Sequence, residues 1–335
     1  MGSEVDLDLD RLTTWLGERP LAVTRYPGGQ SNPTYRVDLP TCSYVLRRKP
    51  FGVLLPSAHA IEREYRLIAA LHPTGYPVPR PVGLCEDAAV IGAPFYLMER
   101  VAGRTIWNGA MPDLSPDARR AHYEAMVDAL AALHAIDPVE VGLGYYGKPG
   151  NYFERQVARW TRQYRASQTD DLADVERLIE WLPRTVPPQD RVAIVHGDYR
   201  IDNLIFAEEG AQVAAVLDWE LSTLGDPLAD FTYLLMNWMT PADGRSGIAG
   251  LSGGDSGIPT MDAVVTRYCE ATGRDGVPGL DWYFAYNLFR LTGIVQGIKQ
   301  RVRDGNASSA QAARMAERVP ELAAAAWRFA EKAGA

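Results

Sequence analysis

Two short apolar runs in this chain end on acidic and amide side chains, and that pattern limits its fold more than any other. The first is VHGDYRIDNLIF, residues 195–206; the second is AAVLDWE, residues 214–220. Asp and Asn are good turn formers, which is the plain explanation for such residues beside strands. A buried carboxylate, however, is costly unless it is paired, hydrogen-bonded or bound to a cation. Asp198 and Asn203 are separated by four residues, and Asp218 closes the second run. With NLIF and VAAVLD as strands and AEEGA as the loop between them, Asp198 precedes a hairpin, Asn203 opens it and Asp218 ends it.

The bulk numbers say how large a body surrounds this hairpin. The chain has 335 residues, and single cores stop growing at about 250–300 residues, so two lobes are expected. A composition of 47% hydrophobic and 23% charged residues is ordinary for a globular protein. The net charge of -8 argues against nucleic acid as a partner. No apolar run reaches the roughly 18–20 residues of a membrane span. The N-terminus, MGSEVDLDLD, lacks a signal-peptide pattern. Cys42, Cys85 and Cys269 form neither a zinc pattern nor a disulfide framework, which points to the reducing cytoplasm.

Local patterns fill in the lobes. Residues 7–18 predict a short helix, TYRVDL and SYVLRR two strands, and residues 58–72 a helix with Ile61, Tyr65, Ile68 and Leu71 on one face. TGYPVPRPVG reads as a proline-rich loop, and PFYLMERVAG as a strand running into an extended connection. The rest is mainly helical, opening at Ser115 as N-cap with Pro116 in the first turn. Further helices are expected over about 152–167, over 171–182 and after GDP, with Asp226 as N-cap. Residues 240–260 read as a mobile loop, and two or three helices close the chain.

HGDYRIDNLIF has the Asp-x-x-x-x-Asn spacing of protein-kinase catalytic loops, and VLDWELSTLGDPLADF follows it with an apolar run ending in Asp and then GDP. Together they resemble the aminoglycoside phosphotransferase/choline kinase-like family, from about Tyr26 to the last helices. The resemblance implies an α+β, bilobal, protein-kinase-like fold. Its small N-lobe, residues 1–101, would hold an antiparallel sheet and the nucleotide. Its mainly helical C-lobe, residues 102–335, would hold the catalytic loop and the acceptor site. The implied activity is transfer of the γ-phosphate of ATP, with Mg²⁺, to a small-molecule hydroxyl. That reaction asks a protein for positioning and charge neutralisation, and hard oxygen ligands suit Mg²⁺.

Carried over residue by residue, Asp198 is the catalytic base, and Asn203 and Asp218 are the metal ligands. His196 is read as support for the loop, Asp202 as a turn residue, and Asp230 as either a pin for the loop or an exposed helix carboxylate. In the N-lobe, Gly28 and Gly29 let backbone amides approach phosphate, with Ser31 and Asn32 adding polar contacts. Strand alternation separates Arg47 from Leu46 and Arg48. The resemblance implies that Arg47 stands where kinases carry lysine, since the subgroup this chain resembles often has LR there, with Lys49 as its rival; Glu64 would be its partner on the next helix, with Glu62 as rival. Backbone groups of Glu99 and Val101 would meet adenine beside Met98.

The acceptor is less sharply defined. Arg155, Arg159 and Arg162 share one helix face, beside Trp160 and Tyr164. This predicts either a solvated face or a surface for an anionic acceptor. Residues 145–165 resemble the kinase-like domains fused to acyl-CoA dehydrogenases, which implies a hydroxyacyl thioester or similar metabolite. An aminoglycoside O-phosphotransferase, a metallohydrolase built on His196, Asp198 and Asp218, and a non-catalytic nucleotide-binding module remain as alternatives. Homodimerisation stays open.

Overall fold

A computed structural model describes residues 6–27, 32–52, 59–305 and 310–335. It begins with α1 (Leu9–Leu16), β1 (Ala22–Arg25), β2 (Thr34–Asp38), β3 (Ser43–Arg48), α2 (Ile61–Leu71), β4 (Pro81–Cys85) and β5 (Phe95–Glu99). The five strands form one antiparallel sheet in the order β1-β2-β3-β5-β4. β4 begins in the stretch 74–83, read as a proline-rich loop, and runs two residues past it. Pro81 is tolerated there because β4 is an edge strand, with one row of amides outside the ladder.

Alternation in β3 and β5 divides the sheet into two faces. Leu46 and Leu97 join Tyr35, Val37, Phe95 and Leu12 in an outer core under α1. Val45, Tyr96 and Met98 face the other way and pack with α2 and the helical half. Arg48, almost wholly buried, is drawn to the outer face by an ion pair with Asp6, a hydrogen bond from its Nε to the Tyr35 hydroxyl (3.2 Å) and the Phe51 ring. Its neighbour Arg47 is thereby turned inward.

The second half contains β6 (Arg104–Thr105), α3 (Pro116–Ala135), α4 (Tyr152–Ser167), α5 (Ala173–Trp181), β7 (Ala193–Val195), β8 (Leu204–Phe206), β9 (Val213–Val216) and β10 (Thr223–Gly225). It continues with α6 (Leu228–Leu235), α7 (Met261–Thr272), α8 (Leu280–Arg303), α9 (Ala310–Ala316) and α10 (Val319–Lys332). β8 and β9 form the expected hairpin, extended by β6, and β7 pairs with β10. Helix α8 is buried over much of its length, as its near-continuous apolar sequence requires. Phe153 of α4 meets Trp282, Tyr283 and Tyr286 of α8 edge-on at 5.0–5.4 Å.

Three local expectations need correction. Pro227, not Asp226, is the N-cap of α6, and the Asp226 carboxylate accepts from the Leu228 N–H (2.9 Å). Residues 240–260 do lack long elements, but buried Ile248 and Ile258 and a hydrogen bond from Arg119 to the Ser256 carbonyl (3.0 Å) hold the segment down. Four helices, rather than two or three, close the chain among the described residues.

Leu97 is fully buried in the outer core. Leu97→Ala is expected to cost about 2–5 kcal/mol, through lost transfer energy and an unfilled cavity. It should lower the denaturant midpoint; an unchanged midpoint would show that this face is not packed as described.

Candidate active site

The hairpin β8–β9 delivers the polar residues that the sequence singled out. A hydrogen bond from the Leu217 N–H to the Asn203 carbonyl (2.8 Å) closes its open end. Asp218 follows with φ +65°, a left-handed conformation that Asp tolerates better than most residues. Such backbone strain persists only where surrounding structure holds it. The Asn203 amide donates to the Asp198 backbone carbonyl (2.9 Å) and lies 3.4 Å from Asp198 Oδ2. Asp198, Asn203 and Asp218 are therefore neighbours.

The loop before β8 is anchored from beneath. Asp230 is buried on α6, and its carboxylate accepts the backbone N–H of His196 (2.5 Å) and of Gly197 (2.8 Å). Of the two roles weighed for Asp230, this is the pin. Burial pushes its carboxyl up, but the contact with His134 and the Gly197 amide outweigh burial and hold it below the usual range. Gly197 has φ +88°, and a Cβ there would lie 2.7 Å from the Leu221 carbonyl, so only glycine fits. His196 has both ring nitrogens engaged: Nδ1 accepts from the Asp198 N–H (3.2 Å) and Nε2 donates to the Leu217 carbonyl (2.9 Å). That arrangement fixes the neutral tautomer and leaves no nitrogen for a metal, which removes the histidine from the metallohydrolase alternative.

Two cations that sequence reasoning missed flank Asp198. Arg200 Nε lies 3.5 Å from Asp198 Oδ1, while its other end bonds Asp202 (2.9 Å). Arg290 of α8 donates to the Gly197 carbonyl (2.6 Å) and lies over the Tyr233 ring at 4.8 Å. Arg290 had one visible signal, a single charge inside the apolar run AYNLFRLTGIV. Burial pushes the Tyr233 phenol up to about 12, and nearby Asp198 adds to this.

Across the cleft, β3 and α2 supply an ion pair. Arg47 Nε lies 3.4 Å from Glu64 Oε2, and Arg47 NH2 lies 3.3 Å from Asp218 Oδ1. The rivals Lys49 and Glu62 pair with each other instead. Glu64 also accepts from Tyr96 (3.0 Å) and from Asn32 (3.1 Å). Asn32, expected to meet phosphate, is wholly buried and directed to Glu64, because a buried amide must find hydrogen-bond partners. Burial pushes the Glu64 carboxyl up to about 7, against the pull of Arg47. Burial also opposes the Arg47 charge, but Tyr96, Glu64, Asp218 and Glu220 more than offset it and raise the guanidinium's pKa. Both partners move upward because Glu64 is enclosed on all sides while Arg47 sees three carboxylates.

The connection after β5 also needs one correction. Glu99 donates its N–H to the Arg80 carbonyl (2.9 Å), so that group is not free for a base. The backbone of Val101 makes no hydrogen bond among the described residues. Met98 is buried on the cleft side of the sheet. Gly28, Gly29 and Ser31 lie outside the described residues.

Beside Gly197 opens a cavity of about 630 Å³. Arg63, Arg159, Arg162 and Arg290 line it, with Glu220 as its one carboxylate among the described residues. Arg155, grouped with Arg159 and Arg162 by helical spacing, is not part of this wall. It donates to the backbone carbonyls of Lys148 (2.6 Å) and Gly150.

A five-stranded sheet over a helical half, with an Arg–Glu pair facing Asp198, Asn203 and Asp218, defines a protein-kinase-like phosphotransferase fold. The chain belongs to the phosphotransferase enzyme family, whose model matches residues 22–283. It is 45% identical over 318 residues to acyl-CoA dehydrogenase family member 10 of Mus musculus. That match covers 94% of this chain and 30% of the relative, so the chain spans less than a third of its length. A crystal structure from Ralstonia eutropha, provisionally an aminoglycoside phosphotransferase, superposes with TM-score 0.90 at 44% identity, over 97% of this chain and 99% of that one. A spectinomycin phosphotransferase in complex with ADP and spectinomycin shares the fold, with TM-score 0.62 at 15% identity over 95% and 98% of the two chains.

The raised carboxyl of Glu64 has a measurable consequence. Its ordinary value is 4.5 and its folded value about 7, so the folded state holds an extra proton between them. That contribution to stability is complete below 4.5 and is lost as pH rises through 7. Glu64→Gln lacks it. The Tm difference between variant and wild type should therefore move in the variant's favour from pH 4.5 to 7 and flatten above; a difference constant with pH would refute the raised carboxyl.

Proposed function

We propose that the chain transfers the γ-phosphoryl group of ATP to a hydroxyl of a small molecule that carries negative charge. The observation behind the first part is the convergence of Asp198, Asn203, Asp218, Arg47 and Glu64 in one cleft. The observation behind the second is a cavity wall with four arginines against one carboxylate. Val101 and the Glu99 carbonyl are offered for adenine, with residues 28–31 for the phosphates. The spectinomycin phosphotransferase holding ADP supports the nucleotide.

Each residue has a role that its surroundings allow. Asp198 meets the acceptor hydroxyl and takes its proton as the oxygen attacks phosphorus. Asn203 holds Asp198 by its backbone carbonyl, and Arg47 neutralises phosphate charge while Glu64 fixes its position. The donor set fits Mg²⁺: Asn203 Oδ1 accepts no hydrogen bond among the described residues, and Asp218 is 37% exposed with one oxygen bonded only by Arg47. Bound there, the ion would neutralise charge on the phosphates. No three or more His, Cys, Asp or Glu side chains among the described residues cluster as a metal site, so nucleotide oxygens would complete the ligand set.

An aminoglycoside is a polycation, and a wall of arginines repels it. A hydroxylated carboxylic acid or a phosphate-bearing thioester suits that wall, and the dehydrogenase relative agrees with an acyl substrate. No helix among the described residues is long and apolar enough to cross a membrane. The three cysteines are unpaired, in keeping with a cytoplasmic setting.

Asp198→Asn should fold and bind Mg-ATP, yet lose phosphoryl transfer by about 10²–10⁴-fold, the usual share of a general base. Turnover within a few-fold of wild type would remove Asp198 from this role.

Arg159 and Arg162 are exposed on the cavity wall. Reversing both to Glu should raise the acceptor KM, leave the ATP KM nearly unchanged, and matter less at high salt, because exposed charges are screened beyond about 8–10 Å. Unaltered acceptor kinetics would return this face to mere solvation.

A further inference from the structure

Arg63 sits on α2 one residue before Glu64, and it does something no motif assigns. Its guanidinium donates to the Tyr146 carbonyl (2.8 Å) and the Ser222 carbonyl (3.3 Å), and lies 4.1 Å from the Tyr146 ring centre. The Tyr146 hydroxyl in turn meets the Ser222 hydroxyl (2.7 Å) and the Arg63 backbone carbonyl (3.4 Å). Ser222 Oγ donates to the Trp219 carbonyl (2.5 Å), one residue after Asp218. Tyr146 and Ser222 are both buried.

The helix is thus fastened to the segment of residues 218–222 at two points. Glu64 reaches it through Arg47, and Arg63 grips it directly. Arg63 also lines the acceptor cavity, together with Ser222 and Arg159. We propose that Arg63 is a positioning residue for the nucleotide half of the site: it locks α2 onto residues 219–222 so that Glu64 is presented to Arg47, and it does so from the wall of the acceptor cavity. A guanidinium suits this task because one terminal nitrogen serves both carbonyls while the planar group stacks on the Tyr146 ring, and an ammonium cannot reproduce that stacking. Coupling of the two substrate sites follows, since whatever fills the cavity meets the residue that sets α2. This inference rests on the phosphotransferase reading above.

The test needs no acceptor. Binding of Mg·AMP-PNP is measured by calorimetry for wild type, Arg63→Ala, Arg63→Lys, Glu64→Gln and the double variant Arg63→Ala/Glu64→Gln. Arg66→Ala, an exposed neighbour on α2, is the control. Arg63→Ala should weaken binding about tenfold, within the usual range of coupling between sites. Arg63→Lys should weaken it in the same direction, which keeps the idea testable if the alanine variant does not fold. The double variant should bind no more weakly than Glu64→Gln alone, because both act through one element, and Arg66→Ala should match wild type. Wild-type affinity in Arg63→Ala or Arg63→Lys, or additive losses in the double variant, overturns the proposal. A wild-type protein that binds no Mg·AMP-PNP overturns the phosphotransferase reading, and this inference with it.

Discussion

Arg47 between Glu64 and Asp218 is the interaction on which the rest of the site depends. One guanidinium joins three elements from distant parts of the chain: a strand of the sheet, the helix behind it and the end of the β8–β9 hairpin. Its direction is set on the opposite face of β3, where Arg48 and Leu46 are buried in the outer core. Alternation along a strand then leaves Arg47 no choice but the cleft. A buried ion pair of this kind adds little net stability, because desolvation offsets attraction. Its value is geometric. It makes the position of α2 depend on the position of the hairpin that carries Asp218.

The loop that carries Asp198 is held by the opposite strategy, a buried carboxylate facing backbone amides. Asp230 receives two N–H groups from His196 and Gly197, and the His196 ring continues the bracing to Asp198 and Leu217. These contacts fix main chain rather than reactive atoms, so Asp198 can stay partly open to a substrate. The strained backbone at Asp218 belongs to the same economy of placement: a left-handed residue turns the chain sharply after β9.

Much of this was legible from local pattern. The hairpin, the Asp198–Asn203 spacing and the helix bearing Glu64 follow from alternation and periodicity in short segments, whereas the choice of Arg47 over Lys49, two residues apart on one face, comes from the family resemblance. What could not be read is what depends on long-range pairing. Asn32 resembled a loop residue near glycines, yet it lies under Glu64, 32 positions away. Arg155 shared a helical face with Arg159 and Arg162, but neighbouring carbonyls of residues 148 and 150 take it out of the cavity. Arg63 carried no signal at all, since its partners are Tyr146 and Ser222. The edge strand β4 was hidden by prolines that an edge position accommodates.

The four arginines of the cavity wall turn a family resemblance into a specific claim about chemistry. Fold and family leave the acceptor open, because related folds act on very different molecules. Charge narrows the choice, since a cation cannot enter that wall without displacing or neutralising it. The most direct measurement is phosphorus NMR of the products formed from Mg-ATP with a panel of hydroxylated compounds: carboxylic acids, their phosphate-bearing thioesters, neutral alcohols and polycationic aminoglycosides. The account predicts a new phosphoester on an anionic member of the panel, with ADP formed in equal amount. A phosphoester formed preferentially on an aminoglycoside, or ADP release with no phosphoester on any acceptor, would contradict it.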